Sequence, residues 1–329
     1  MEGRWRVSAT VASLVACSAI AAGGCGSSDG DADEPGAIAT ADPATTFAPT
    51  ILLPAGERYR PLSARWFVER SVLWFAEGQG CDDRKIAVGR TLGEQRGGDI
   101  DWIWHHVLGG RRWAYYRSPW NARCEPDLYV RAYANQHVRP HDVVDRPSSV
   151  RPQEGFYLDL VDSARSGPRA LDEAVVYVER ADAPPSVRLT YWLMFGEHAP
   201  AGRPAETHEG DWERVDVLLR RDADGRYEPR AVRLGARDAQ GAPAQSRDVP
   251  RSKLRWAGRT HPILVAARGS HTLTPPGRSC EDCTRWQTHR RLEPLRKQGW
   301  YGFGGAWGEV GQTGATTGPL GPHDGTWPD

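Results

Sequence analysis

Apolar residues along this chain come in short runs, not in long helical stripes. The runs fall at 64–75, 102–107, 113–116, 127–133, 173–178, 187–195, 212–219, 228–234 and 262–267, separated by Gly, Pro and Asp. Aromatic and β-branched residues are frequent within them, which favours pleated, half-buried strands. The expected fold is mainly β, a β-sandwich with irregular Gly/Trp/Pro-rich loops and few helices. The stretch 64–75 also fits a helical face through Phe67, Val68, Ser71, Val72 and Phe75. Residues 221–226 carry Asp-Ala-Asp-Gly, a hairpin signal because Asp-Gly tolerates positive φ. The segment after Gly299 is expected to wrap the surface without regular structure.

The run Glu213-Arg-Val-Asp-Val-Leu-Leu219 alternates with period two. As a strand it puts Asp211, Glu213, Val215, Val217 and Leu219 on one face, with Trp212, Arg214, Asp216 and Leu218 on the other. Two carboxylates thus stand at the rim of an apolar face, where bare charge costs several kcal/mol unless it is paired. Gly210 permits a bend that would fold His208 back beside them. One imidazole and two carboxylates suit a divalent cation. An Arg-paired carboxylate network and an acid/base catalytic pair are the competing readings, and 39 Arg against 3 Lys make guanidinium partners plentiful. Trp192 and Trp212 read as packing residues.

Residues 1–24 have the form of an export signal: two Arg near the start, then a small-residue apolar stretch too short to span a membrane. Ala22-Gly-Gly-Cys25 fits a lipoprotein processing site, with Cys25 as the lipidated first residue. Leu14-Val-Ala-Cys17 matches the usual pattern better but leaves a very short apolar region, and an ordinary secretory signal without lipid is the plainer alternative. Residues 25–46 hold little that could bury surface and read as a flexible tether, followed by one domain over 47–329. The expected location is the outside of a bacterial cell envelope, anchored in its membrane. Formal net charge is zero, and removing residues 1–24 leaves it near zero, so no electrostatic footprint for nucleic acid exists. Cys81, Cys124, Cys280 and Cys283 are an even set for disulfides outside the cytoplasm, paired most simply as Cys81–Cys124 and Cys280–Cys283.

A second candidate element is Pro262-Ile-Leu-Val-Ala-Ala267, an apolar strand ending in Arg-Gly-Ser-His271. That ending, together with Phe47-Ala-Pro-Thr-Ile-Leu-Leu-Pro-Ala-Gly-Glu-Arg-Tyr-Arg-Pro61 followed by Phe67 to Leu73, Tyr191-Trp192, His208-Glu-Gly-Asp-Trp-Glu213, Trp307-Gly308 and Gly318-Pro-Leu-Gly-Pro322, resembles the Vps62-like family, which includes the plant DUF946 proteins. More distantly, the His208–Glu213 block resembles the GHRHDWE heptapeptide of necrosis- and ethylene-inducing-like proteins, secreted β-sandwiches that hold a divalent cation and bind sphingolipid headgroups. That resemblance implies a cation (Ca or Mg) at His208, Asp211 and Glu213, joined by His271 and by Glu197, which lies five residues after Trp192. Thr207 and Gly210 depart from the heptapeptide's Gly and second His, which argues against toxin activity.

The expected function is a lipid-anchored binding module for a glycan or an anionic headgroup. The alternatives are an extracytoplasmic metal-dependent hydrolase with Glu213 or Glu197 as general base, and a non-catalytic protein with an Arg–carboxylate network. No HExxH pattern occurs in the sequence, so binding is preferred to catalysis.

Overall fold

A computed structural model describes residues 37–77, 84–85, 154–237, 243–277, 280, 282–301, 305–311 and 314–322. The chain divides into units 1–35 and 36–329, and the described residues belong to the second. The expected runs at 102–107, 113–116 and 127–133, and Cys25, Cys81 and Cys124, lie outside the described residues. Among the described residues no helix is long and apolar enough to cross a membrane.

The fold is mainly β, with sheets packed as a sandwich. The strands are β1 (Thr50–Leu53), β2 (Pro61–Leu62), β3 (Ser71–Glu77), β4 (Arg84–Lys85), β5 (Glu154–Leu160), β6 (Val176–Ala183), β7 (Ser186–His198), β8 (His208–Arg221), β9 (Tyr227–Arg237), β10 (Pro243–Pro250), β11 (Trp256–Ala257), β12 (His261–Ala266), β13 (Leu273–Thr274), β14 (Thr284–Gln287) and β15 (Leu292–Pro294). The largest sheet has seven strands in the order β10-β9-β8-β7-β6-β15, with β2 also on β7. A five-stranded sheet runs β11-β12-β1-β14 with β13 on β12, and β4-β3-β5 form a third.

β7 and β8 lie at the centre of the large sheet and are covered on both sides. On one side Leu189, Tyr191, Leu193, Phe195, Val215 and Val217 pack with Ile51, Leu264, Ala266 and Trp286 of the five-stranded sheet. On the other, Trp192, Met194 and Trp212 pack with Leu158 and Leu160 of β5, Phe67 and Val68, and Trp300 and Trp307. The alternation along 213–219 therefore sorts residues between two cores, not between core and water. Arg214 and Asp216, on the Trp212 face, settle their charges by pairing at 2.8 Å while almost fully buried.

The stretch 64–75 divides. Ser63 accepts the Trp66 amide at 3.0 Å and caps helix α2 (Ala64–Glu69); the chain then turns into β3, whose partner β5 claims Val72 and its neighbours. The 221–226 turn forms as expected, with Gly225 at φ 77° and the Asp222 side chain accepting the Arg226 amide at 2.8 Å. The end of the expected tether meets the globule: Ile38 bridges Tyr227, residues Pro43–Thr46 form a helical turn (α1), and Tyr191 donates to the Ala44 carbonyl at 2.7 Å.

The segment after Gly299 does more than wrap the surface. It has little regular structure, yet Trp300 and Trp307 are buried. Their rings meet Trp212 at centroid distances of 5.4 and 5.2 Å. Large aromatic area is what a sheet face needs as cover, and this segment supplies it. Replacing Trp212 by Ala empties the middle of this cluster, so Trp212→Ala is expected to lower unfolding free energy by about 3–5 kcal/mol. Urea unfolding checks this, and a loss below about 1 kcal/mol would show the cluster to be peripheral.

Candidate functional site

The β7–β8 ladder ends with Phe195 opposite Asp211, Glu197 opposite Glu209, and His198 opposite His208. Five ionisable side chains therefore gather at one end of the most buried strand pair. In a regular strand Glu209 and Asp211 would share a face. Gly210 between them takes φ 63°, and a Cβ there would run into the Trp307 carbonyl. Across this kink the two carboxylates part company.

Asp211 meets histidines. Its Oδ2 lies 2.8 Å from His271 Nδ1 and 3.4 Å from His198 Nδ1. His271 arrives on the tight turn after β12, itself at φ 52°, with its amide bonded to the Ala267 carbonyl at 2.7 Å. Its ring lies flat on Phe195, centroids 3.8 Å apart. Its Nε2 faces Glu57 Oε1 at 3.6 Å, and Glu57 is held by the amides of Tyr59 (2.9 Å) and Gly269 (2.8 Å). The result is a buried carboxylate–imidazole–carboxylate row. Burial opposes charge on His271, but Asp211 and Glu57 outweigh it and push its pKa up to about 9. Burial likewise raises Glu57, yet its bonds from His271 and the two amides bring it down to about 2. Asp211 is held far below the usual carboxylate range, against its burial, by His198 and His271. The positive partner that the sequence demands for Asp211 is thus an imidazolium. Asp211 Oδ1 is buried without a hydrogen-bond donor.

The other residues of the expected set fall as follows. His208 stacks on His198 with centroids 4.7 Å apart, and its Nδ1, 2.9 Å from the Gly210 carbonyl, must be the protonated nitrogen. Glu213 is buried opposite Leu193, one strand step deeper than Asp211. Glu197 binds the Tyr59 hydroxyl at 3.1 Å and faces Arg165 at 3.7 Å. The structure therefore joins Asp211 to His271, sets His208 beside His198, and turns Glu197 to a guanidinium. Cys280 and Cys283 form a disulfide.

Glu209 stood inside the quoted motif without an assigned role. Its Oε2 accepts the amides of Leu160 (3.1 Å) and Glu309 (3.3 Å), and its Oε1 lies 2.5 Å from Arg165 Nη2. With Asp159 and Glu309 it brings three carboxylate ligand atoms within 4.8 Å of one another, a group able to hold a metal ion. Burial pushes Glu209 up to about 8, with Arg165 opposing and Asp159 adding to the rise. Asp159 is raised too, by burial and by Glu309. The three acids come from β5, β8 and the C-terminal segment, and only the folded chain brings them together.

No protein-family model and no curated protein matches the chain. Among solved structures it is similar to necrosis and ethylene inducing protein 2 from the causal agent of cocoa's Witches Broom disease: 14% identity, 73% of this chain, 70% of that one, TM-score 0.30. It is also similar to NLPPya in complex with glucosamine, at 15% identity, 40% of this chain and 54% of that one, TM-score 0.28. The mannosamine complex of NLPPya gives 18% identity over the same shares, with TM-score 0.27. The superpositions are loose, and no property of those proteins passes to this chain through them.

The Glu57–His271–Asp211 row has a pH signature. His271 is raised above its ordinary 6.5, so its stabilisation is complete below pH 6.5 and is lost as pH climbs through about 9. Glu57 is lowered from 4.5, so its share is complete above pH 4.5 and is lost as pH falls through about 2. The thermal midpoint is expected to be highest between these windows. His271→Gln should flatten the alkaline decline in a calorimetric pH series; an unchanged decline would remove His271 from the explanation.

Proposed function

We propose that this protein is an exported, lipid-anchored binding module of the Vps62-like type. A divalent cation, Ca or Mg, held by Asp159, Glu209 and Glu309 serves to engage an oxygen-rich ligand, a glycan or an anionic headgroup, at the cell envelope. The observation that carries this is the convergence of three carboxylates within 4.8 Å, one of them buried. With all three ionised, each pair at that spacing repels by about 3 kcal/mol in a partly wet protein environment, a cost that a bound cation would offset. Hard oxygen donors of this kind suit Ca or Mg better than softer metals. Three carboxylates leave coordination positions for water and for ligand oxygens, which is the basis of the binding reading. The signal-like residues 1–24 and Cys25 support the anchoring half of the proposal.

A second reading keeps the cation on the sequence-derived set, with Asp211 and His208 as ligands and Glu213, His271 and Glu197 around them. The buried, donorless Oδ1 of Asp211 favours it.

Calcium at about a hundredfold its Kd would stabilise the fold by about 2.7 kcal/mol, visible as a rise in thermal midpoint. Glu209→Gln is expected to abolish the rise and His208→Ala to retain it. The reverse pattern moves the cation to Asp211, and no rise in the unmodified protein defeats both readings.

A further inference from the structure

The cation reading leaves a question that the arrangement of Arg165 answers. Its guanidinium already sits among the acids. Nη2 lies 2.5 Å from Glu209 Oε1 and 2.6 Å from Asp162 Oδ1, and Nη1 lies 3.7 Å from Glu197 Oε2. A guanidinium that is a permanent structural partner usually grips one carboxylate with two parallel hydrogen bonds, as Arg214 grips Asp216 at 3.0 and 2.8 Å. Arg165 grips none of its three acids that way. Its Nε is buried without an acceptor, and Glu209 Oε1, on a side chain only 3% exposed, has contact with Nη2 but no hydrogen bond of proper geometry. Two buried polar atoms are thus left poorly satisfied at the point where the metal-holding group meets Arg165, which is costly for each.

We propose that Arg165 is a displaceable internal counter-ion: it occupies the acidic pocket when no metal is bound, swings out when a divalent cation enters, and thereby sets the affinity of the site. This rests on the cation reading of Asp159, Glu209 and Glu309. The backbone at Arg165 packs closely on β7, where a Cβ on Gly196 would strike the Arg165 carbonyl. Movement is therefore confined to the side chain, which is 29% exposed. An outer resting place exists in Asp162, three residues earlier and 89% exposed, already in contact with the same Nη2. On leaving Glu209 the guanidinium exchanges its shared contact with Asp162 for an undivided, two-pronged one, and Glu197 keeps the Tyr59 hydroxyl. The inner position competes with the cation, and the outer one accompanies its binding.

Titration calorimetry with calcium chloride alone, on the full mature chain at low ionic strength, tests this. Arg165→Gln removes the competitor and is expected to tighten calcium binding at least tenfold, or about 1.4 kcal/mol. Asp162→Asn, a surface change that leaves the pocket intact, removes the outer resting place and should weaken binding by about threefold, the scale of an exposed ion pair. Equal affinity in unmodified protein and Arg165→Gln, or weaker binding in Arg165→Gln, overturns the inference while leaving the cation site standing. Should Arg165→Gln not fold, Asp162→Asn decides alone, and an unchanged affinity overturns the proposal. No calcium heat in either unmodified protein or Arg165→Gln removes the cation reading, and this inference with it.

Discussion

The structure depends on one constraint: ionisable groups sit on a strand pair that is covered on both sides, so every charge there needs a partner within the fold. β7 and β8 carry two cores, one against the five-stranded sheet and one against β5, α2 and the tryptophans of the C-terminal segment. Water is kept from most of their length, and the local electrostatics are correspondingly strong. The chain answers in a different way at each position. Arg214 takes Asp216 in a two-pronged pair, His271 lies between Asp211 and Glu57, and Arg165 is shared by Glu197, Glu209 and Asp162. Only the first is fully satisfied: the second leaves His271 Nε2 and Asp211 Oδ1 buried without hydrogen-bond partners, and the third leaves Arg165 Nε and Glu209 Oε1 so. The third adjoins the one group among the described residues whose geometry suits a metal ion.

The kink at Gly210 organises these differences. A residue with a Cβ would be strained at φ 63° and would collide with the Trp307 carbonyl. By breaking the alternation it sends the acids on either side of it to unlike surroundings: Asp211 to imidazoles and the far sheet, Glu209 to a guanidinium, two amides and two further acids. One short motif thereby serves two distinct polar clusters.

Much of the frame was legible in the sequence. Period-two alternation placed Val215, Val217 and Leu219 together and Trp212 opposite, and Asp-Gly marked the β8–β9 turn. The strand ending at His271 also reads from its apolar run; the resemblance offered that histidine as a further cation ligand, and its direct bond to Asp211 is seen only in the fold. What escaped depends on long-range approach. Nothing local in Asp159 or Glu309 announces a meeting with Glu209, since the three lie on separate elements and their encounter is a property of tertiary packing. The bend at Gly210 was legible, since glycine permits positive φ; that it parts Glu209 from Asp211 was not, because the close contact with Trp307 is a matter of tertiary packing. Likewise, the C-terminal stretch reads as loop because it lacks periodicity, yet its tryptophans fill a core. The residues expected from the motif and the three-carboxylate group able to hold a metal ion share no member.

The position of Trp300 and Trp307 bears on how the acidic pocket is completed. These rings close one face of the central strand pair; the Trp307 backbone lies hard against Gly210 and Gly318, and its indole against Gly321. Without this segment in place, Trp212 and Tyr177 have an unfinished shelter, and Glu209 lacks the Glu309 amide that it accepts. The same docking that covers the tryptophan layer therefore also completes the acidic pocket.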